Sequence, residues 1–213
     1  MQRGYFITFE GGEGAGKSIQ VEILTSHLHE DNYPIVVTRE PGGTRIGEQV
    51  RDITHSQENV DLESTTEAYL MAAARAQHVS QIIEPALEAG KIVVCDRYVD
   101  SSIAYQGYGR KLGAATISQL NELAINGAIP NLTILLDIDT EKGLRRRHKS
   151  TKSKDRLDVQ QRDFYERVHR GYLELVENHP SRFVKVDASR SIEKVAVEIW
   201  TEVKKRLDAH FHK

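Results

Sequence analysis

Apolar residues follow two rhythms along this chain. Short runs at Tyr5–Phe9, Ile35–Val37, Ile92–Cys95, Leu132–Leu136 and Phe183–Val186 are β-branched or aromatic, and longer mixed stretches separate them. The runs predict five strands. The stretches between them repeat at spacings of three and four, as in Ile192, Val195, Ile199, Val203 and Leu207, which predicts helices with one apolar face. Alternation of the two gives an α/β fold, a five-stranded parallel sheet flanked by helices on both sides. No internal repeat, low-complexity linker or shift of composition interrupts the pattern, so residues 1–213 are expected to form a single domain. Ligands of such sheets bind beyond the carboxyl ends of the strands, and the residues just after each strand are the ones to read for chemistry.

Composition narrows the classes. A chain of 213 residues with 28% charged and 39% hydrophobic side chains has the proportions of a soluble globular protein and enough length for a core without disulfides. No stretch approaches the roughly 18 apolar residues of a membrane span. Met1-Gln2-Arg3-Gly4 leads straight into the first strand without a signal peptide, so a cytoplasmic protein with no membrane partner is expected. A net charge of −2 argues against nucleic acid as the main partner. The lone cysteine, Cys95, closes an apolar run and reads as a buried small residue.

The first strand is followed by Gly11-Gly12-Glu13-Gly14-Ala15-Gly16-Lys17-Ser18, which fits G-x-x-x-x-G-K-[ST] between a strand and a helical pattern. Glycines let backbone N–H groups turn around a phosphate, and the helix starting near Lys17 adds the positive end of its dipole. Residues 11–18 are therefore the expected ATP loop, with Lys17 on the β and γ phosphates and the Ser18 hydroxyl on Mg²⁺. Two further strands end in an aspartate, Asp96 and Asp137. Asp96 is the better partner for the metal because Arg97 follows it; Asp137 reads equally as a helix cap. The D-x-x-G and N-K-x-D signatures of nucleotide switches are absent from the sequence, which favours an enzyme.

Thr38-Arg39-Glu40-Pro41-Gly42-Gly43-Thr44 follows the second strand, and Asp96-Arg97-Tyr98-Val99-Asp100-Ser101-Ser102-Ile103-Ala104-Tyr105-Gln106-Gly107 follows the third. With the phosphate loop, these strings resemble thymidylate kinases, P-loop enzymes of the nucleoside monophosphate kinase type that convert dTMP and ATP to dTDP and ADP. The resemblance reaches from the first strand to Val186-Asp187-Ala188. It implies that Arg97 holds the acceptor phosphate, with Arg39 either assisting or fixing its own loop through Glu40. It implies that Arg75 and Gln106 read the base: thymine offers an O4 acceptor beside an N3–H donor, and cytosine reverses both. Tyr105 would pack where a ribose 2′-OH would stand, Glu13 would meet the 3′-OH or the metal's waters, Ser102 reads either as a polar contact near the base or as a helix-capping serine, and Arg51 either as a pocket residue or as a solvated helix arginine. Glu10 reads either as a site acid or as a structural one. Where the family commonly stacks an aromatic ring on thymine, this chain has Met71, which reads either as a flexible cover for the base or as a core residue of its helix. A deoxynucleoside kinase or another monophosphate kinase is the alternative activity. The resemblance also implies a homodimer formed through central helices.

The phosphate loop carries no arginine between Gly12 and Lys17, as in the bacterial subgroup whose transition-state arginines come from a lid. Between Arg145 and Arg156 seven cationic side chains (Arg145, Arg146, Arg147, Lys149, Lys152, Lys154 and Arg156) stand against one acid, Asp155. Phosphoryl transfer needs cations that arrive without water, and the acceptor phosphate, with a second pKa of about 6, needs no general base. The segment is therefore expected to be a mobile basic lid over residues 143–158, with Arg146, Arg147 and Arg156 as catalytic candidates beside Lys17 and Arg97. The nine histidines show no H-x-x-x-H spacing and there are no paired cysteines, so Mg²⁺ brought in with ATP is the one metal expected.

Overall fold

The computed structural model describes residues 2–150, 156 and 160–211. Its strands are β1 (Tyr5–Glu10), β2 (Ile35–Arg39), β3 (Ile92–Asp96), β4 (Leu132–Asp137) and β5 (Phe183–Asp187). All pair in parallel in the order β2-β3-β1-β4-β5. Each strand runs one or two residues past its apolar run, so that Glu10, Arg39, Asp96, Asp137 and Asp187 form the carboxyl edge of the sheet. Register sets them side by side: Phe9 faces Asp96, Arg39 faces Asp96, and Asp137 faces Asp187.

The helices are α1 (Lys17–Glu30), α2 (Arg45–His55), α3 (Ser64–His78), α4 (Glu84–Glu88), α5 (Val99–Ser102), α6 (Ala114–Ile125), α7 (Thr140–Ser150), α8 (Arg162–Asn178) and α9 (Ile192–Phe211). Two π-helical stretches extend them, Val79–Ile83 between α3 and α4, and Ile103–Gly109 after α5. In the first, Pro85 cannot donate to the preceding turn, which favours the wider spacing.

Strand β1 lies at the centre and is buried throughout. Its side chains alternate. Tyr5, Ile7 and Phe9 join Leu24 and Leu28 of α1 and Val203 and Leu207 of α9 in one core layer. The opposite face carries Phe6, Thr8 and Glu10, of which the last two are polar and completely buried. Thr8 Oγ1 and Thr133 Oγ1 are hydrogen bonded at 2.9 Å. Arg182 grips Asp100 with two bonds of 2.6 and 2.9 Å and also donates to Thr133. A buried polar network of this kind has to be satisfied internally, and it fixes α5 and β4 relative to each other.

The basic segment differs from the expected loop. Arg145, Arg146, Arg147 and Lys149 lie on α7. Asp139 caps that helix by accepting from Lys142 N at 3.0 Å, and Leu144 packs inward against the layer containing Phe164 and Tyr165. Lys152, Lys154 and Asp155 lie outside the described residues, as does most of the expected lid beyond Ser150.

Candidate active site

The phosphate loop wraps from β1 into α1. Gly14 (φ 66°) and Gly16 (φ 91°) take left-handed conformations, and a Cβ at Gly14 would collide with the Gly143 carbonyl oxygen of α7. That backbone approach brings α7 against the loop. Lys17 Nζ donates to the Gly11 and Gly12 carbonyl oxygens at 3.1 and 2.9 Å, and burial beside Arg97 pulls its pKa down to about 8. Ala15 belongs to the core beneath the loop. Ser18 Oγ donates to Asp96 Oδ2 at 2.9 Å, which joins the two groups assigned to the metal. Asp137 is engaged elsewhere: its carboxylate is 2.7 Å from His169 Nε2 and 3.7 Å from Lys185 Nζ, and the His169 bond holds its pKa below the usual range. The cap of α7 is Asp139, so Asp137 does not cap that helix.

Arg97 follows β3 with a φ of 68°, a conformation that costs a non-glycine residue about 1–2 kcal/mol. Surrounding contacts hold it there. Glu10, at the end of β1, accepts from Tyr98 N at 2.8 Å, from Ser101 Oγ at 2.6 Å and from Tyr172 OH at 2.9 Å. Glu10 is thus the structural acid of the arginine's loop. Burial, with Asp100 nearby, pushes its pKa up to about 7. The Arg97 side chain donates to Glu13 Oε1 at 2.7 Å and lies over the Tyr105 ring, 5.0 Å from its centroid. Burial alone would raise the Glu13 carboxyl, but Arg97 and Lys17 bring it down to about 2.

A cavity of about 440 Å³ opens beside these groups. Lys17, Ser18 and Asp96 line it together with Glu13, Arg97 and Tyr105, as do Arg75, Ser102, Gln106, Met71, Arg39, Arg51 and Arg147. Sequence-predicted residues from six separate segments thus meet in one space. Met71 is half-buried on the cavity wall and belongs to none of the core layers. Tyr105 and Gln106 sit on the π-helical stretch after α5, a geometry found often at functional sites.

Several partners depart from expectation. Arg39 pairs with Glu48 at 2.8 Å, and Glu48 also accepts from Gly43 N, so the loop is fixed through Glu48 instead of Glu40. Glu40 is buried between His78 and Arg75. Arg75 is bonded within the protein: it donates to Glu40 (2.8 Å), to Ser102 Oγ (3.1 Å), to Tyr98 O (3.3 Å) and to Asn121 Oδ1, and its Nη2 makes a second ion-pair contact with Glu40 at 2.7 Å. Of the three basic-segment candidates, Arg147 borders the cavity, Arg146 donates to Ala188 O at 2.9 Å, and Arg156 is buried against Glu67 at 2.6 Å. Glu67, Asn121, His78 and Tyr172 were not singled out from the sequence, since their partners lie 35 or more residues away and leave no local pattern. Among the described residues no group of three His, Cys, Asp or Glu side chains is placed to hold a metal ion.

The thymidylate kinase family model matches residues 9–199. This chain belongs to the thymidylate kinase family. A thymidylate kinase of Clostridium novyi is 44% identical over 200 residues, covering 93% of this chain and 98% of its own. One of Geobacillus thermodenitrificans is 45% identical over 213 residues, covering 98% and 95%. The crystal structure of a thymidylate kinase from Ehrlichia chaffeensis superposes with a TM-score of 0.77 at 34% identity, covering 95% of this chain and 99% of that one. The thymidylate kinase fold therefore spans nearly the whole sequence, phosphate loop and both acceptor strings included.

Proposed function

We propose that this chain transfers the γ-phosphoryl group of ATP to the phosphate of dTMP, giving dTDP and ADP, and that the cavity is where it does so. The observation carrying this reading is that the phosphate loop and the Arg97, Tyr105, Gln106 and Arg75 cluster border one continuous cavity. Lys17 neutralises the β and γ phosphates of the donor. Ser18 and Asp96 offer hard oxygens side by side, the donor chemistry that suits Mg²⁺. That ion, arriving with ATP, would supply positive charge at the phosphate oxygens. Arg97, held by Glu13 and Tyr105, receives the dTMP phosphate and sets it in line with the donor, and Arg147 brings a further cation to the transferring group.

At the far end Gln106 and Arg75 meet the base edge, Met71 covers the ring, and Tyr105 closes the space beneath C2′. The longer Arg75 bonds, to Ser102 and Tyr98 O, are the ones a base carbonyl would replace. The chain works as a homodimer in this reading: Tyr69 of α3 (61% exposed) and Leu123 of α6 (89% exposed) are large apolar side chains turned to solvent on two helices that pack together. It works in the cytoplasm, where its two nucleotides are found, and among the described residues no helix is long and apolar enough to cross a membrane.

A coupled ADP-release assay with ATP against dTMP, dUMP, dCMP, UMP, AMP and thymidine tests the reading. dTMP is expected to give the highest kcat/KM. Thymidine or AMP in first place would point instead to a deoxynucleoside kinase or another monophosphate kinase.

A further inference from the structure

Glu67 stands one turn before Met71 and two before Arg75 on α3, so the three share a helix face. It is 1% exposed, among the most deeply buried acids of the molecule. Its Oε1 accepts from Gln106 Nε2 at 2.7 Å, and its Oε2 accepts from Arg156 Nη1 at 2.6 Å and Arg110 Nη2 at 3.1 Å. Arg156 is itself fixed, donating through Nη2 to Leu62 O at 2.8 Å and through its backbone N–H to His55 O at 3.0 Å.

Two guanidiniums beside one carboxylate keep it ionised. An ionised carboxylate accepts hydrogen bonds and donates none. The amide of Gln106 therefore has one tolerable orientation. Its NH₂ must face Glu67, because a flipped amide would set its carbonyl oxygen against a carboxylate oxygen in a dry interior. The oxygen of the amide is consequently turned the other way, at a residue that borders the cavity.

We propose that Glu67 is a specificity-determining positioning residue, which locks the Gln106 amide so that an acceptor, never a donor, meets the ring nitrogen of the bound base. The inference rests on the reading of the cavity as the dTMP site. A thymine N3–H satisfies that acceptor. The bare N3 of a cytosine would face it lone pair to lone pair, and the locked amide cannot turn to relieve the clash. Selection against cytosine thus comes from a repulsive element held in place from behind. Arg156 and Arg110 share the task of keeping Glu67 charged, so the carboxylate stays ionised when either one is removed.

The test compares dTMP with 5-methyl-dCMP, which has the same shape and differs only in the two recognition groups. In Glu67→Gln the neighbour of Gln106 can donate as well as accept, so the amide is free to flip. The ratio of kcat/KM for dTMP over 5-methyl-dCMP is expected to fall about tenfold or more, since one mismatched buried pair is relieved. The double variant Glu67→Gln/Arg156→Gln removes one negative and one positive charge together, and carries the same test if the single variant is too unstable to assay. Arg156→Gln alone keeps the carboxylate and should hold the ratio within about twofold, whatever it does to rate. An unchanged ratio in Glu67→Gln and the double variant, or an equal fall in Arg156→Gln, overturns the proposal. If the wild-type enzyme does not prefer dTMP over 5-methyl-dCMP, the dTMP reading fails and takes this inference with it; if it does and the variants keep the preference, only the role of Glu67 fails.

Discussion

Arg97 donates to the Glu13 carboxylate across 2.7 Å. The bond crosses from the loop after β3 to the loop after β1, so it ties the proposed acceptor-phosphate cation to the phosphate loop. Glu13→Gln should leave Arg97 less well placed and lower kcat by about tenfold or more, with a smaller change in the KM for ATP. Stability gives an independent readout. Glu13 has a folded pKa of about 2, below its ordinary 4.5, so it adds stability above about pH 4.5 that is lost as pH falls toward 2. Acid unfolding curves of wild type and Glu13→Gln should therefore be furthest apart above pH 4.5 and converge below it. Curves that stay parallel would show that the pairing carries no net energy.

Glu10 has the opposite sign. Its folded pKa is raised to about 7, so its contribution is complete below about pH 4.5 and is lost as pH rises through 7. Glu10→Gln stays neutral throughout. Between pH 5 and 8 the unfolding free energy of wild type should fall relative to the variant by roughly 2–3 kcal/mol. A difference independent of pH would mean that Glu10 remains charged in its buried network.

Arg147 and Arg156 should separate in kinetics. Arg147→Ala removes a cation bordering the cavity, and kcat should drop far more than the KM for dTMP rises. Arg156→Ala breaks a buried ion pair with Glu67, so it should cost about 3–5 kcal/mol in unfolding free energy and raise the KM for dTMP. Steady-state kinetics and melting curves of both variants decide it. The reverse pattern would return Arg156 to the transferring phosphate.

Tyr105 donates to Glu13 at 2.7 Å and walls the cavity. Tyr105→Ala should admit ribonucleotide monophosphates by opening the space beneath C2′, narrowing the preference for dUMP over UMP. Unchanged discrimination would place the sugar elsewhere.

Met71→Phe should lower the KM for dTMP with little change in kcat, because a rigid ring adds about 0.5–1.5 kcal/mol of stacking that ground and transition states share. A fall in melting temperature with unchanged KM would show that the ring packs into α3's neighbours instead of over the base.

Much of this architecture was legible in the sequence because its signals are local. The five apolar runs, the phosphate loop and the two acceptor strings each occupy a dozen residues or fewer, and the structure gathers them at one edge of the sheet. What stayed hidden depends on partners far apart in the chain. Glu40 with Arg75, Glu67 with Arg156 and Asp100 with Arg182 are ion pairs 35, 89 and 82 residues apart, and no spacing rule connects them. The basic segment reads as a loop because α7 has Leu144 as its one inward apolar anchor and so shows no periodic face. The cap at Asp139, three residues before Lys142, was the signal that marks the helix start.

The internal bonding of Arg75 bears on small molecules meant to occupy this cavity. A compound that offers the guanidinium a carbonyl displaces Ser102 Oγ or Tyr98 O, so it gains only the difference between two similar hydrogen bonds. Strengthening that acceptor is a poor route to potency, and omitting it leaves the bonds to Ser102 Oγ and Tyr98 O in place. Met71 offers the larger return: it is flexible, half-buried and apolar, and an inhibitor with a broad flat ring system can reshape it at little cost.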